Sequence, residues 1–174
     1  YYSNSNTLSN ITAYSNGYSG IHILWSNSNT LSNITSQENN QYDIYISTLS
    51  DSDCNNHLEN ITGSNNLPIL YYNSSVNLSN MILSELILCN ADYSNITNIT
   101  VNASQTKDNN GILVIRTDNS TITDCISSDN YYGIYLEYSS GNTINNITAN
   151  NNRYGIYLYP SFCTHSSSHN TLTN

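Results

Sequence analysis

Paired carboxylates on one face, or a carboxylate beside a base, would allow acid and base work on a glycosidic bond. The nearest grouping is Arg116-Thr-Asp118 followed by Asp124 and Asp129. Arg116 ends an apolar stretch and Asp118 opens a turn, so the two read as a surface ion pair, and no catalytic residue is assigned. Metal chemistry has two candidate stretches. Cys163-Thr-His-Ser-Ser-Ser-His169 gathers one thiol and two imidazoles within seven residues, but nothing there fixes a coordination geometry. Asp51-Ser-Asp53 could join backbone carbonyls around calcium or form a solvated turn. No metal site and no cofactor is assigned. Cys54, Cys89, Cys125 and Cys163 match no zinc spacing. Cys125 reads as a small buried hydrophobe, and the others could form a disulfide in an oxidising compartment, with the pairing open.

The remaining chemistry belongs to tyrosine and asparagine. Tyr45, Tyr135 and Tyr157 recur at one strand position, Tyr42, Tyr132 and Tyr154 just before it, and Tyr138 and Tyr159 just after. Such stripes would stack on sugar rings, pack against a neighbouring protein, or stack on one another to stabilise a sheet. Ten sequons occur, at Asn10, Asn33, Asn60, Asn73, Asn77, Asn95, Asn98, Asn102, Asn119 and Asn146. Asn73, Asn102 and Asn119 are the expected acceptors in a secreted protein, because Asn10, Asn33, Asn60, Asn98 and Asn146 have another use, described below.

Composition narrows the partners. Of 174 residues only 9% are charged, and Lys107, Arg116 and Arg153 stand against twelve acids for a net charge of -9. Nucleic acid is excluded as an expected partner by that balance, and an anionic membrane surface is disfavoured. The longest apolar run, Met81 to Cys89, is broken by Ser84 and Glu85 and falls short of the ~20 residues of a spanning helix. A surface of amides and hydroxyls suits neutral partners such as a surface polysaccharide.

What positions these residues is a repeat. Asn6-Thr-Leu-Ser-Asn-Ile-Thr12 recurs as Asn29-Thr-Leu-Ser-Asn-Ile-Thr35, and weaker copies follow to the end of the chain. Their first apolar positions are Leu8, Leu31, Leu58, Leu78, Ile96, Ile122, Ile144 and Leu172, separated by 23, 27, 20, 18, 26, 22 and 28 residues. A second apolar ladder lies three residues on, from Ile11 to Ile147. Between the two stand Asn10, Asn33, Asn60, Asn80, Asn98, Asp124, Asn146 and Asn174. Asn and Asp best tolerate the left-handed backbone of a bend, and stacked amides can bond into a ladder. Later strands, Gly20-Ile-His-Ile23, Asp43-Ile-Tyr-Ile46, Gly111-Ile-Leu-Val114, Gly133-Ile-Tyr-Leu136 and Gly155-Ile-Tyr-Leu158, alternate with period two, and the leading Gly suits a corner. Leu67-Pro-Ile-Leu-Tyr71 and Leu86-Ile-Leu88 are the blurred copies between residues 63 and 107.

The pattern from Asn142 to Leu158 resembles the repeats of right-handed parallel β-helix proteins, especially NosD-like and archaeal surface-associated members, and more distantly pectate lyases. The resemblance spans nearly the whole chain and implies a single-stranded all-β solenoid of about seven coils of roughly 23 residues. It also raises copper handling by the Cys163 to His169 stretch, against which Met81 is the only Met. One coil cannot offset its own ordering cost, so coils must stack. The expectation is one domain, a segment of a longer solenoid or one unit of a stack of copies, since the chain opens at Tyr1 without an initiator Met. Its expected role is an extracellular or cell-surface structural, carbohydrate-facing scaffold. The alternatives are a carbohydrate-active enzyme whose catalytic coil lies elsewhere, and a metal-handling accessory protein.

Overall fold

The structure is a computed structural model that describes residues 2–102, 104, 109–159 and 166–173. It is all-β, with no α-helix among the described residues. An N-terminal arm holds β1 (Thr7–Tyr14), β2 (Ile21–Leu24), β3 (Thr30–Gln37), β4 (Ile44–Ser47) and β5 (His57–Thr62). A C-terminal stack holds β6 (Pro68–Tyr72), β7 (Asn77–Leu83), β8 (Glu85–Cys89), β9 (Asn95–Asn102), β10 (Asn110–Ile115), β11 (Thr121–Thr123), β12 (Ile126–Ser128), β13 (Tyr132–Glu137), β14 (Thr143–Asn145), β15 (Tyr154–Leu158) and β16 (Thr171–Thr173).

Parallel pairing follows the repeat. In the arm, Leu8 lies opposite Leu31 and Leu31 opposite Leu58, while β2 pairs with β4. In the stack, Leu78, Ile96, Ile122, Ile144 and Leu172 form one ladder. Strands β6, β8, β10, β13 and β15 form the other sheet. Bonded neighbours are 23 and 27 residues apart in the arm, then 18, 26, 22 and 28 in the stack.

These spacings give six turns, against about seven expected. The 20-residue step from Leu58 to Leu78 is not a coil. After β5 the chain turns at Gly63 to Leu67 and β6 runs antiparallel to β5, with Ile61 opposite Ile69. The blurred strands predicted at Leu67 to Tyr71 and Leu86 to Leu88 are β6 and β8, and the short 18-residue coil is real, with Asn77 opposite Asn95. Direction therefore reverses once, and the arm lies beside the stack.

Two cores result. The stack closes on Leu86, Leu88, Ile96, Ile99, Ile112, Val114, Ile122, Ile134 and Leu136, all fully buried. The arm contributes Ile21, Ile23, Leu31, Ile34, Ile44, Ile46 and Ile61, and its open side is filled by Ile69, Ile87, Leu113, Ile115 and Tyr135 from the outer face of the stack's β6 to β15 sheet. That sheet is buried on both faces, so its central strands carry continuous apolar runs.

At the bends, Asn10, Asn33, Asn60, Asn80, Asn98, Asp124 and Asn146 all have φ between 48 and 58°. Asn60 donates to Asn33 at 3.3 Å, Asn98 to Asn80 at 2.7 Å and Asn146 to Asp124 at 2.7 Å. Asn174 lies outside the described residues. Gly111 and Gly133, which lead two of the later strands, have a different basis from the one expected. Gly111 does not need an unusual φ; a Cβ there would lie 2.1 Å from Ser127 Oγ and 2.3 Å from the Gly133 carbonyl oxygen. Close backbone approach selects Gly.

Candidate functional site

The arm meets the stack along a line that starts at a polar cluster, passes tyrosines and ends at a clasp. Asp43 occupies the place that Gly holds in other coils, at the start of β4. Its carboxylate accepts from Asn39 Nδ2 at 3.0 Å, Ser64 N at 2.8 Å, Ser64 Oγ at 2.7 Å and Asn109 Nδ2 at 3.1 Å. The outer edge of β4 is covered by side chains: Asp43 N donates to Asn109 Oδ1 at 3.0 Å, and Asn110 Nδ2 donates to the Ile44 carbonyl at 3.2 Å. Amides thus occupy an edge that would otherwise offer itself to another strand.

Glu85, on β8, faces the same cluster with no surface exposed; no N–H or O–H donates to its carboxylate oxygens, and the groups beside it are the Asn110 side chain and the Ile44 backbone. Ser84 Oγ and Asn110 Oδ1 are also buried without partners. Burial pushes the Glu85 carboxyl well above the usual carboxylate range; the Asn110 amide pulls the other way and the charge of Asp43 adds to the rise. Asp43 is itself raised by burial, against its hydrogen bonds. Each unpartnered buried polar atom costs about 1–3 kcal/mol, a cost that a protonated Glu85 paired with the Asn110 side chain avoids.

The tyrosines follow. Tyr42 and Tyr45 stack at 5.0 Å between ring centres, His22 meets Tyr45 edge-on at 4.8 Å, and Tyr42 meets Tyr131 at 5.7 Å. The wall continues through Tyr132 and Tyr154 at 5.4 Å and Tyr135 and Tyr157 at 5.9 Å, both pairs stacked. Tyr132 with Tyr154 and Tyr135 with Tyr157 show the stacking of one coil on the next, and only part of the stripe is open. Tyr135 is only 7% exposed because the arm packs across it, whereas Tyr45, Tyr132 and Tyr157 are half-buried and Tyr154 is 40% exposed. The outward face of the sheet is largely an internal interface. What stays open is a groove of about 410 Å³ lined by Tyr18, Ser19, His22, Gln41, Tyr42 and Tyr45. Burial lowers the His22 pKa below its ordinary value.

At the far end, Arg116 stands in the left-handed region at φ 48° and Tyr138, one coil on, at 52°. The guanidinium lies 4.7 Å from the Tyr138 ring centre, donates to Thr48 Oγ1 at 2.9 Å and pairs with Asp51 at 3.1 Å. The expected Arg116–Asp118 pair is therefore corrected: folding back brings Asp51 to Arg116, while Asp118 accepts from Ser140 N at 2.6 Å. Beside this clasp, burial raises Glu137 to about 7, opposed by Arg116 and by a bond from Tyr135. Cys54 and Cys89 form a disulfide that ties the arm to the end of β8, and Tyr71 Oη donates to the Cys54 carbonyl. Cys125 is free and buried.

Other candidates are not brought together. Asp118, Asp124 and Asp129 occupy three successive corners of one coil. Asp53 accepts from Leu49 N at 2.8 Å and Ser50 N at 3.0 Å, which makes Asp51-Ser-Asp53 a capped turn. Cys163 and His165 lie outside the described residues, and His169 is exposed. Among the described residues no three of His, Cys, Asp and Glu converge. Of the glycan acceptors, Asn119 is exposed, whereas Asn73 and Asn102 are half-buried and Asn102 Oδ1 is enclosed.

Sequence reasoning missed an inner ladder two residues before the first apolar position. Asn6 N donates to Asn29 Oδ1 at 3.0 Å, Asn29 N to Asn56 Oδ1 at 3.1 Å, Ser120 N to Asn142 Oδ1 at 2.8 Å and Asn142 N to Asn170 Oδ1 at 2.9 Å. Its signal was the Asn or Ser recurring there in most coils. Glu85 and Asp43 were missed too, although an acid inside an apolar run and an Asp in a Gly position were visible.

A family model described as a right handed beta helix region matches residues 54–174. No curated protein and no solved structure matches the chain.

Proposed function

The chain belongs to the right-handed β-helix family, and from that premise we propose that it is an extracellular or cell-surface scaffold presenting a tyrosine-lined face to a neutral saccharide, with no catalytic site of its own. The observation that carries this reading is the groove of Tyr18, His22, Tyr42 and Tyr45, in which the Tyr45 ring packs against both His22 and Tyr42. Aromatic faces and the Gln41 amide suit sugar rings and hydroxyls. Charge supports a neutral ligand, because a net charge of -9 repels anionic glycans. The Cys54–Cys89 bond supports an oxidising compartment. A glycan array probed with the intact chain tests it. Retention of neutral glycans, reduced about tenfold or more in Tyr45→Ala, is the expected result; no retention on any glycan, with stacking of copies in solution instead, would overturn the saccharide role.

Glu137 favours a second reading, a carbohydrate-active enzyme. A carboxyl held to about 7 beside tyrosines is suited to donate a proton. Turnover of a bound glycan, abolished by Glu137→Gln with binding intact, would replace the scaffold by this reading.

A further inference from the structure

We propose that Asn77 carries an N-linked glycan that covers the open edge of the stack, an inference that rests on the extracellular reading above. A sequon must offer its Asn amide and its Ser or Thr hydroxyl together, and extended backbone does so by placing residues two apart on one face. Asn10, Asn33, Asn60, Asn98, Asn119 and Asn146 stand in the left-handed region, which breaks that alternation. The amides of Asn60, Asn98 and Asn146 are also spent on the ladder. Asn73 Nδ2 donates to the Asn56 carbonyl at 3.3 Å, and the hydroxyl of its sequon, Ser75, donates to the Tyr93 carbonyl at 3.1 Å. Asn102 Oδ1 is enclosed, and the matching Ser104 hydroxyl is buried and donates to Glu38 at 2.9 Å. Asn77-Leu-Ser79 and Asn95-Ile-Thr97 remain. Both lie in extended strands, β7 and β9, with the Asn exposed. Among the described residues, no hydrogen bond engages either amide side chain or either hydroxyl.

Register decides between the two. Asn95 stands between Asn77 and Thr121 of the neighbouring strands, so a sugar there would be crowded from both sides. Asn77 has a neighbour on one side only, because β7 pairs with β9 alone. That free edge is a product of the reversal: the chain before β6 builds the arm where a straight solenoid would lay a coil over β7. Behind the edge, Val76, Leu78 and Met81 are only partly buried against the stack's core, and Ile82 is 61% exposed. Residues 77–83 contain no charge and no proline, the usual protections of an edge strand. A bulky, hydrated sugar on Asn77 supplies the missing protection. The donor is an oligosaccharide carried on a polyprenyl diphosphate. The Asn77 amide nitrogen forms a bond to its anomeric carbon, the bond from that carbon to the diphosphate oxygen breaks, the diphosphate leaves with the electron pair, and the amide gives up one proton to base.

The test is a glycopeptide map of the chain recovered from the cells that make it, with surface and cytoplasmic fractions kept apart. Sites are read from the mass that each proteolytic peptide gains. Asn77 is expected to be modified in most surface chains, with Asn60, Asn73, Asn98 and Asn102 bare. Asn77→Gln, at an exposed position, should fold normally and lose that mass. Light scattering at micromolar concentration should then show the variant self-associating where the native chain is a monomer. A surface chain bare at Asn77, or modified at Asn95 or the bend asparagines in its place, would overturn the inference and leave the extracellular reading standing. A chain found only in the cytoplasm would overturn both. Asn77→Gln as monomeric as the native chain would overturn the covering of the edge.

Discussion

The arm and the stack are built from the same repeat, yet only the stack closes its own core. Four turns of the stack enclose Ile96, Ile112, Ile122 and Ile134 between two sheets. The arm makes two turns and buries Ile44 and Ile46 only by leaning on Leu113, Ile115 and Tyr135. Equal repeats therefore do not give equal independence. A solenoid turn is as stable as the surface that covers it, and the arm takes its cover sideways from the stack's outer face.

That asymmetry can be broken by substitution, most severely in the stack. Ile134→Asp places a charge in a fully buried position and should abolish folding of both regions, a loss of more than about 4 kcal/mol seen in denaturant melts. Ile44→Asp should instead release the arm and leave the stack folded, a difference visible as selective loss of amide protection in residues 7–62. Tyr135→Ser separates the two arrangements of the arm: a Tyr on an open face would cost little, whereas one enclosed by the arm should cost about 3 kcal/mol. Replacing Cys54 and Cys89 together by Ala should cost about 2–4 kcal/mol and act mainly on the arm.

The smallest effect is that of pH. Glu85 and Glu137 have folded pKa values above those of the unfolded chain. Below about pH 4 both states carry the protonated acid and there is no penalty. As pH rises, the unfolded chain ionises first, so stability should fall from the ordinary value of 4.5 up to about 7 for Glu137, and beyond the ordinary carboxylate range for Glu85. Melts between pH 4 and pH 8 check this; Glu137→Gln should flatten the lower part of the slope.

Much of the fold is legible in the sequence because coil construction is local. Leu8, Ile11 and the Asn10 between them are enough to define a bend, and the same triplet recurs in register. The reversal is not legible, because it depends on which face of β6 to β15 finds apolar cover. Val114 and Ile115 are equally buried and point to different cores, so period two gives the alternation without saying that both sides are inside. For the same reason the sequence does not say which tyrosines the arm covers. The groove at Tyr18 and Gln41 depends on loop positions outside the repeat, and the Glu85 cluster joins residues from distant parts of the chain.

The central claim is that the arm folds back along the stack. In one uninterrupted stack, Ile44 and Asn110 would stand three coils apart, roughly 14 Å, beyond the reach of a nuclear Overhauser effect. Folded back, the Asn110 side-chain amide lies 3.2 Å from the Ile44 carbonyl oxygen. A cross-peak between the Asn110 side-chain amide protons and the Ile44 and Tyr45 backbone is the expected result. Its absence, with Leu58 and Leu78 showing the cross-strand contacts of neighbouring coils, would contradict the reversal.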